Sequence, residues 1–73
     1  MTKKQACTPA EIADAIRIHT IYSKTTIKEM CNTLHIALNT VSRIGRGDYP
    51  RIDTLLKIAD FLGCTVNDLV YKD

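Results

Sequence analysis

The chain has 73 residues, a formal net charge of +2 at pH 7 and a hydrophobic fraction of 45%. This length accommodates a single domain with a modest core, because so small a chain buries only about 60% of its unfolded surface. No apolar stretch approaches the ~18 residues of a membrane helix, and Met1–Ala10 lacks the apolar run of a signal peptide, so we expect a cytoplasmic protein without membrane association.

The positive charge is concentrated in the middle of the chain. Residues 24–51 contain five Lys and Arg residues and two acids, whereas residues 52–73 contain two Lys residues and four acids. A cationic middle segment is where a polyanion would bind. The alternative, an ordinary solvated helical surface, remains open on charge alone.

The cysteines and histidines do not indicate a metal or redox site. Cys7, Cys31 and Cys64 are odd in number and far apart, so a disulfide framework is not expected. Neither His19 nor His35 is followed by an acid or thiol at a spacing of three or four residues. We therefore expect no metal, no cofactor and no small-molecule ligand.

The first predicted helix begins at Pro9. Residues 1–7 form a polar leader, which we expect to be flexible and to contain Cys7, and residues 8–73 form one domain. Thr8, Pro9 and Glu11 combine a capping hydroxyl, a proline at the first helical position and an acid at the third. The predicted apolar face of this helix consists of Ile12, Ala15, Ile16, Ile18, Ile21 and Tyr22, and the helix ends at Ser23-Lys24-Thr25.

The segment from Thr26 to Gly47 predicts two short helices joined by a bend. Thr26 and Glu29 have the spacing of a capping box, and the apolar residues that follow are spaced as one helical face: Ile27, Met30, Cys31 and Leu34. After a bend at residues 35–37, a second apolar face comprises Leu38, Val41 and Ile44. The intervening polar residues include two cations and no acid, which suits a duplex groove: Asn39, Thr40, Ser42, Arg43 and Arg46.

Two more helices follow a turn at Gly47-Asp48-Tyr49-Pro50. The fourth helix spans residues 52–62 and ends at Gly63, and its predicted inward residues are Ile52, Leu55, Leu56, Ile58, Ala59 and Leu62. A fifth helix begins after Thr65 and contains Leu69, Val70 and Tyr71. No segment shows a useful β alternation, so the predicted fold is all-α, with five short helices around one core.

This order of residues resembles the Cro/C1-type helix-turn-helix family, also called the XRE family, of bacterial and phage transcription regulators. The resemblance covers roughly residues 12–70. It rests on Thr26, Glu29, Met30 and Cys31, on Thr40-Val41-Ser42-Arg43-Ile44, on Gly47 and Pro50, and on Leu55-Leu56-Lys57-Ile58-Ala59 with Leu62-Gly63. It implies a compact lambda-repressor-like DNA-binding domain whose third helix enters the major groove of DNA.

The resemblance also implies roles for individual residues, with a recognition helix from about Leu38 to Gly45. The side chains expected at base edges are Leu38, Asn39, Thr40 and Arg43. Those expected at phosphates are Thr26, Lys28, Ser42, Arg46, Tyr49 and Arg51. Leu38 would touch a thymine methyl group, or it would be an exposed leucine that covers the bend.

Four residues depart from the family pattern. His35 replaces a common glycine, so either His35 is left-handed or the bend differs. Ala37 replaces a capping Ser or Thr, and Gly45 replaces a common Glu. His19 falls where a core leucine is usual, and we expect a one-residue shift of the first helix that buries Ile18 and Ile21 instead.

The function implied is that of a sequence-specific double-stranded DNA-binding regulator, expected to be a repressor that occupies an operator. A homodimer on a palindrome is expected, with its contact at Leu69, Val70 and Tyr71 or near Phe61. The alternative is a protein-interaction module, such as an antitoxin-like or anti-repressor partner, with little base-specific binding. An enzyme is not expected, because no catalytic carboxylate pair, Cys/His nucleophile or phosphate-binding glycine loop is present.

Overall fold

A computed structural model describes residues 5–72 of the chain. The fold is all-α, as predicted, with five helices and a minimal pairing between two terminal strands. The elements in chain order are β1 (Gln5–Ala6), α1 (Pro9–Tyr22), α2 (Ile27–Leu34), α3 (Thr40–Gly45), α4 (Ile52–Leu62), α5 (Val66–Val70) and β2 (Tyr71–Lys72).

The start of α1 follows the predicted capping box. The Thr8 backbone N–H donates to Glu11 Oε1 at 2.9 Å, and the Glu11 backbone N–H donates to Thr8 Oγ1 at 3.3 Å. Pro9 stands at the first helical position, where its missing N–H costs nothing. The predicted beginning of the first helix is therefore confirmed.

The inward face of α1 differs from the predicted one. The buried residues are Ile12, Ala13, Ile16 and Thr20. In contrast, Ile18, Ile21 and Tyr22 are 50%, 73% and 78% exposed. At 100° per residue these three side chains point away from Ile16, so the expected one-residue shift that would bury Ile18 and Ile21 is wrong. Thr20 is tolerated inside because its hydroxyl donates to the Arg17 carbonyl at 2.6 Å.

The cap of α2 is only half of the predicted box. Thr26 Oγ1 accepts the Glu29 backbone N–H at 3.1 Å, but the Glu29 carboxylate accepts the Thr25 hydroxyl rather than the Thr26 N–H. Met30 and Cys31 are buried, and Ile27 and Leu34 are partly buried against the same core, as the spacing predicted.

The helix α4 buries one side and exposes two of its predicted inward residues. Leu55, Ile58, Ala59 and Leu62 are buried, whereas Ile52 and Leu56 are 64% and 56% exposed. The six predicted inward residues span a wider arc than the neighbouring helices cover, so the edge of that arc faces solvent. Gly63 ends the helix at φ 71°, a left-handed conformation that glycine adopts without strain.

The last helix, α5, closes the core. Thr65 and Asp68 form a reciprocal capping box, and Leu69 is completely buried. Leu69 is therefore unavailable for the predicted dimer contact, because its side chain packs within its own chain. Tyr71, predicted in this helix, lies in β2 instead.

The two ends of the described chain pair with each other. Gln5 is paired with Lys72 and Ala6 with Tyr71 in an antiparallel register, and the Cys7 N–H donates to the Val70 carbonyl at 2.7 Å. Cys7 is buried at 8% exposure in the hydrophobic core. The expectation that Cys7 belongs to a flexible leader is thus wrong, because its neighbours are hydrogen-bonded to the C-terminal strand; residues 1–4 of that leader lie outside the described residues.

Candidate nucleic-acid interface

The bend between α2 and α3 begins at a left-handed histidine. His35 has φ 58° and ψ 40°, so the first of the two alternatives for the missing glycine is confirmed. The Ile36 N–H then donates to the Cys31 carbonyl at 3.0 Å, which closes the end of α2. The conformation directs the chain away from α2 and towards α3.

The third helix is shorter than predicted at its beginning. A turn in which the Thr40 N–H donates to the Ala37 carbonyl precedes the helix, so Leu38 and Asn39 lie in that turn. Asn39 occupies the capping position without a side-chain hydrogen bond. Its amide is therefore not engaged in capping, which leaves its polar atoms directed to solvent at the start of α3.

Two buried residues hold α3 against the rest of the domain. Val41 and Ile44 are each 2% exposed, and Gly45 lies close to Ala13 and Arg17 of α1. At 100° per residue, the face opposite the two buried residues is formed by Asn39, Ser42, Arg43 and Arg46. All four are exposed. The packing of α3 therefore determines which polar side chains it presents.

The residues predicted at base edges all lie at or beside this presented face. Asn39 and Arg43 are exposed, Leu38 is 58% exposed in the preceding turn, and Thr40 is partly buried at the flank. The exposure of Leu38 is compatible with both of its predicted roles, the thymine contact and the cover over the bend.

A shallow groove connects α3 to the loop and the first turn of α4. It brings Thr40 and Arg43 together with Tyr49 and Arg51, and Asp48 also lines it. The Arg43 Nε lies 3.4 Å from Asp48 Oδ2. The contribution of Asp48 was missed from the sequence, although an acid five residues after Arg43, beyond two glycines, is close enough to return to α3.

The residues predicted at phosphates divide into three groups, of which the first, Ser42 and Arg46, lies on the exposed face of α3. Tyr49 and Arg51 flank the groove, and Tyr49 is 73% exposed. Thr26 and Lys28 lie at the beginning of α2 and are not among the groove residues. Thr26 uses its oxygen as an acceptor within the cap, so its hydroxyl hydrogen remains able to donate to an anion.

The ion pairs at this surface are exposed. Arg51 Nε lies 3.7 Å from Asp53 Oδ1, and the side chains are 87% and 63% exposed; the Arg43 and Asp48 side chains are 62% and 65% exposed. Pairs of this kind contribute less than about 1 kcal/mol. Both guanidinium groups can therefore exchange an acid for a nucleic-acid acceptor at little cost.

Among residues 5–72, no group of three or more His, Cys, Asp or Glu side chains is placed to hold a metal ion. No described helix has the length and apolarity needed to cross a membrane. Burial raises the pKa of the Cys31 thiol, and burial together with the nearby Asp68 charge raises the pKa of Cys64.

Comparison with known families agrees with this geometry. A family model described as the Cro/C1-type HTH DNA-binding domain matches residues 15–71, which is most of the chain and includes α2, the bend and α3. Comparisons with curated proteins and with solved structures found no match. The matched segment contains both the core that fixes α3 and the polar face that α3 presents, and the chain belongs to the family of Cro/C1-type HTH DNA-binding domains.

Proposed function

We propose that the protein is a sequence-specific transcriptional regulator that represses promoters by occupying an operator in double-stranded DNA. The observation that supports this most directly is the outward face of α3, where Asn39, Ser42, Arg43 and Arg46 are exposed while Val41 and Ile44 anchor the helix. The face contains two cations and no acid. A helix of this kind fits the major groove, which is wide enough for one α-helix.

Asn39 and Arg43 are the proposed base-reading residues. An asparagine can pair bidentately with adenine and an arginine with guanine, each contributing about 1–3 kcal/mol of discrimination. Thr40 and Leu38 add contacts at the edges of this face, with Leu38 placed to contact a thymine methyl group. Because α3 has only six residues, the turn before it must take part in base contacts.

The proposed phosphate contacts surround the reading face. Arg46 and Ser42 extend from α3, and Tyr49 and Arg51 extend from the loop that follows it. The N-terminus of α2 offers the Thr26 hydroxyl and Lys28 to the neighbouring strand. Such contacts carry no sequence information but set the register of the helix in the groove.

A dimer on a palindrome is part of the proposal. One short recognition helix reads too few bases for useful selectivity, so two copies related by a twofold axis would read half-sites about 34–36 Å apart. Occupation of such a site in the cytoplasm of a prokaryotic or phage-infected cell would exclude RNA polymerase.

The test is selection from a random duplex pool. The purified protein is incubated with the pool at moderate salt, and bound molecules are sequenced after several rounds. The expected result is an enriched inverted repeat with a fixed spacing. Retention without any enriched sequence, disappearing as salt rises, would show electrostatic attachment alone and would overturn the proposal.

A second candidate function is a protein-interaction module, such as an antitoxin-like or anti-repressor partner. It is favoured by one observation, the 58% exposure of Leu38 beside the beginning of α3, because an exposed apolar side chain suits a protein contact. Arg43→Ala distinguishes the two functions, because it relaxes sequence preference in a DNA reader and has no effect on an interaction module.

A further inference from the structure

The solvent side of α1 carries an apolar face that its own chain does not cover. Ile18, Ile21 and Tyr22 are 50%, 73% and 78% exposed and lie within about 100° of one another around the helix. A shallow groove continues from Ile18 past Ala15 to Tyr71, which is 45% exposed, and the acids Glu11, Asp14 and Asp68 also line this groove. Exposed apolar side chains grouped in this way mark a binding surface.

The charges at the two ends of this face are opposite. Asp14 lies on the same side of α1 in its N-terminal half, where its carboxylate is 69% exposed and pairs with Arg17. Lys24 is exposed immediately after the C-terminal end of the helix. Along α1 the exposed face therefore runs from a carboxylate that is paired with Arg17, through apolar residues, to a cation.

We propose that this α1 face binds the same face of a second copy of the chain, with the two α1 helices antiparallel about a twofold axis near Ile18. In that arrangement Tyr22 lies opposite the second copy's Asp14, and Lys24 lies within side-chain reach of the same carboxylate. The apolar side chains of both copies meet between these two charged contacts. A twofold interface must be complementary to itself, and the order of charges along α1 meets that condition.

The position of α3 is consistent with this dimer. The residues of α1 next to Gly45 of α3 are Ala13 and Arg17, roughly a third of a turn from the centre of the α1 face. The twofold axis that relates two antiparallel helices passes between them, perpendicular to the plane that contains both. Seen from either helix, the direction of this axis is about a quarter-turn from the direction of the contact. Both copies of α3 then lie on the same side of the dimer, where one duplex can reach them.

The interface is small, and this determines how it has to be measured. One helix pair covers less than the ~800 Å² per partner of a standard interface. We therefore expect a weak dimer in solution that DNA completes by binding both copies. This surface would form the dimer that the proposed function requires, and in this sense the proposal rests on that function. The contact itself is tested without DNA.

The first experiment is disulfide trapping of Ile18→Cys, with Leu56→Cys on α4 as the matched control. The two positions are similarly exposed, at 50% and 56%. The native thiols contribute little background, because Cys7 and Cys31 are buried and the raised pKa of Cys31 and Cys64 reduces their thiolate fraction. Under mild oxidation, Ile18→Cys is expected to give a covalent dimer while Leu56→Cys and the unsubstituted chain remain monomeric. Absence of cross-linking at position 18, or equal cross-linking at position 56, would overturn the proposal.

The second experiment exchanges the charges. In the Ile18→Cys background, Asp14→Lys or Lys24→Glu places like charges opposite each other, so each variant alone should cross-link several-fold more slowly. When the two variants are mixed, opposite charges face each other at both ends of the mixed dimer. Mass spectrometry should then show that the mixed dimer makes up more than the half of the cross-linked product that random pairing gives. A statistical mixture would overturn the antiparallel arrangement. If only this dimer surface is wrong, the random DNA pool still enriches a defined sequence, whereas failure of the proposed function leaves no enriched sequence at all.

Discussion

Arg43 and Asp48 are joined by two contacts across the loop that follows α3. The Arg43 Nε lies 3.4 Å from Asp48 Oδ2, and the Asp48 backbone N–H donates to the Arg43 carbonyl at 3.1 Å. The backbone contact places the acid beside the guanidinium that we assign to base reading. In the proposed complex, Asp48 would compete with DNA for Arg43, and because the pair is exposed this competition would cost less than about 1 kcal/mol.

Asp48→Asn is expected to raise affinity for all DNA sequences several-fold and to reduce discrimination between them. The change removes a negative charge from the surface that meets phosphates, and it releases Arg43 from its partner. Binding to the selected operator and to a scrambled duplex should be compared by anisotropy titration at one salt concentration.

Asp60→Asn is the matched control for that charge change. Asp60 is an exposed acid on α4 that lines a different groove, against the beginning of α5. It should leave the ratio of operator to scrambled affinity unchanged. If Asp60→Asn and Asp48→Asn behave alike, Asp48 acts through net charge alone and not through Arg43.

Arg43→Ala and Arg46→Ala should separate base reading from phosphate binding. Loss of Arg43 is expected to cost about 1–3 kcal/mol on the operator, roughly five- to 150-fold in affinity, and to relax preference at one base pair. Loss of Arg46 should weaken operator and scrambled DNA about equally and lower the salt slope by about 1. Reversed results for the two variants would mean that the recognition helix is rotated relative to the assigned reading face.

Most helix ends could be predicted from the sequence because local rules determine them, although α3 begins two residues later than predicted and Tyr71 lies outside α5. Thr8, Thr26 and Thr65 each cap the helix that the sequence placed after them, and Gly63 ends α4 in the predicted conformation. Capping depends on residues within four positions of each other, so no knowledge of tertiary structure is needed.

The parts that could not be predicted depend on distant neighbours. Ile18 and Ile52 look like core residues by composition, but no other element covers the side of the helix on which they lie. Cys7 is buried in a segment that pairs with residues 70–72, far along the chain. Asp48 reaches Arg43 through a loop conformation that residue types alone do not specify. Periodicity indicates which residues share a face, but the packing partners decide which face is inside.

His35→Gly is expected to stabilise the fold. His35 is exposed and left-handed at φ 58°, a conformation that costs an L-residue about 1–2 kcal/mol, whereas glycine adopts it freely. The higher entropy of glycine in the unfolded chain offsets about 0.5–1 kcal/mol of that gain. Thermal unfolding should show a rise of a few degrees. His35→Ala retains the Cβ and should show no rise; an equal rise would mean that the imidazole, not the backbone, is unfavourable.

Gly45→Ala and Gly63→Ala should change stability in opposite directions. Gly45 lies in the last turn of α3, and a Cβ added there would lie 3.6 Å from Arg17 Nη2 and 3.7 Å from the Ala13 Cβ, both ordinary contact distances. Alanine in a helix is favoured over glycine by about 0.5–1 kcal/mol, so the melting temperature should rise by roughly 2–8 °C in a domain of this size. Gly63 has φ 71°, where alanine is strained by about 1–2 kcal/mol, so the same methyl group should lower the melting temperature. A loss of stability in Gly45→Ala would show that α3 lies closer to α1 than the 3.6 Å and 3.7 Å distances indicate. The orientation of the reading face would then have to be revised.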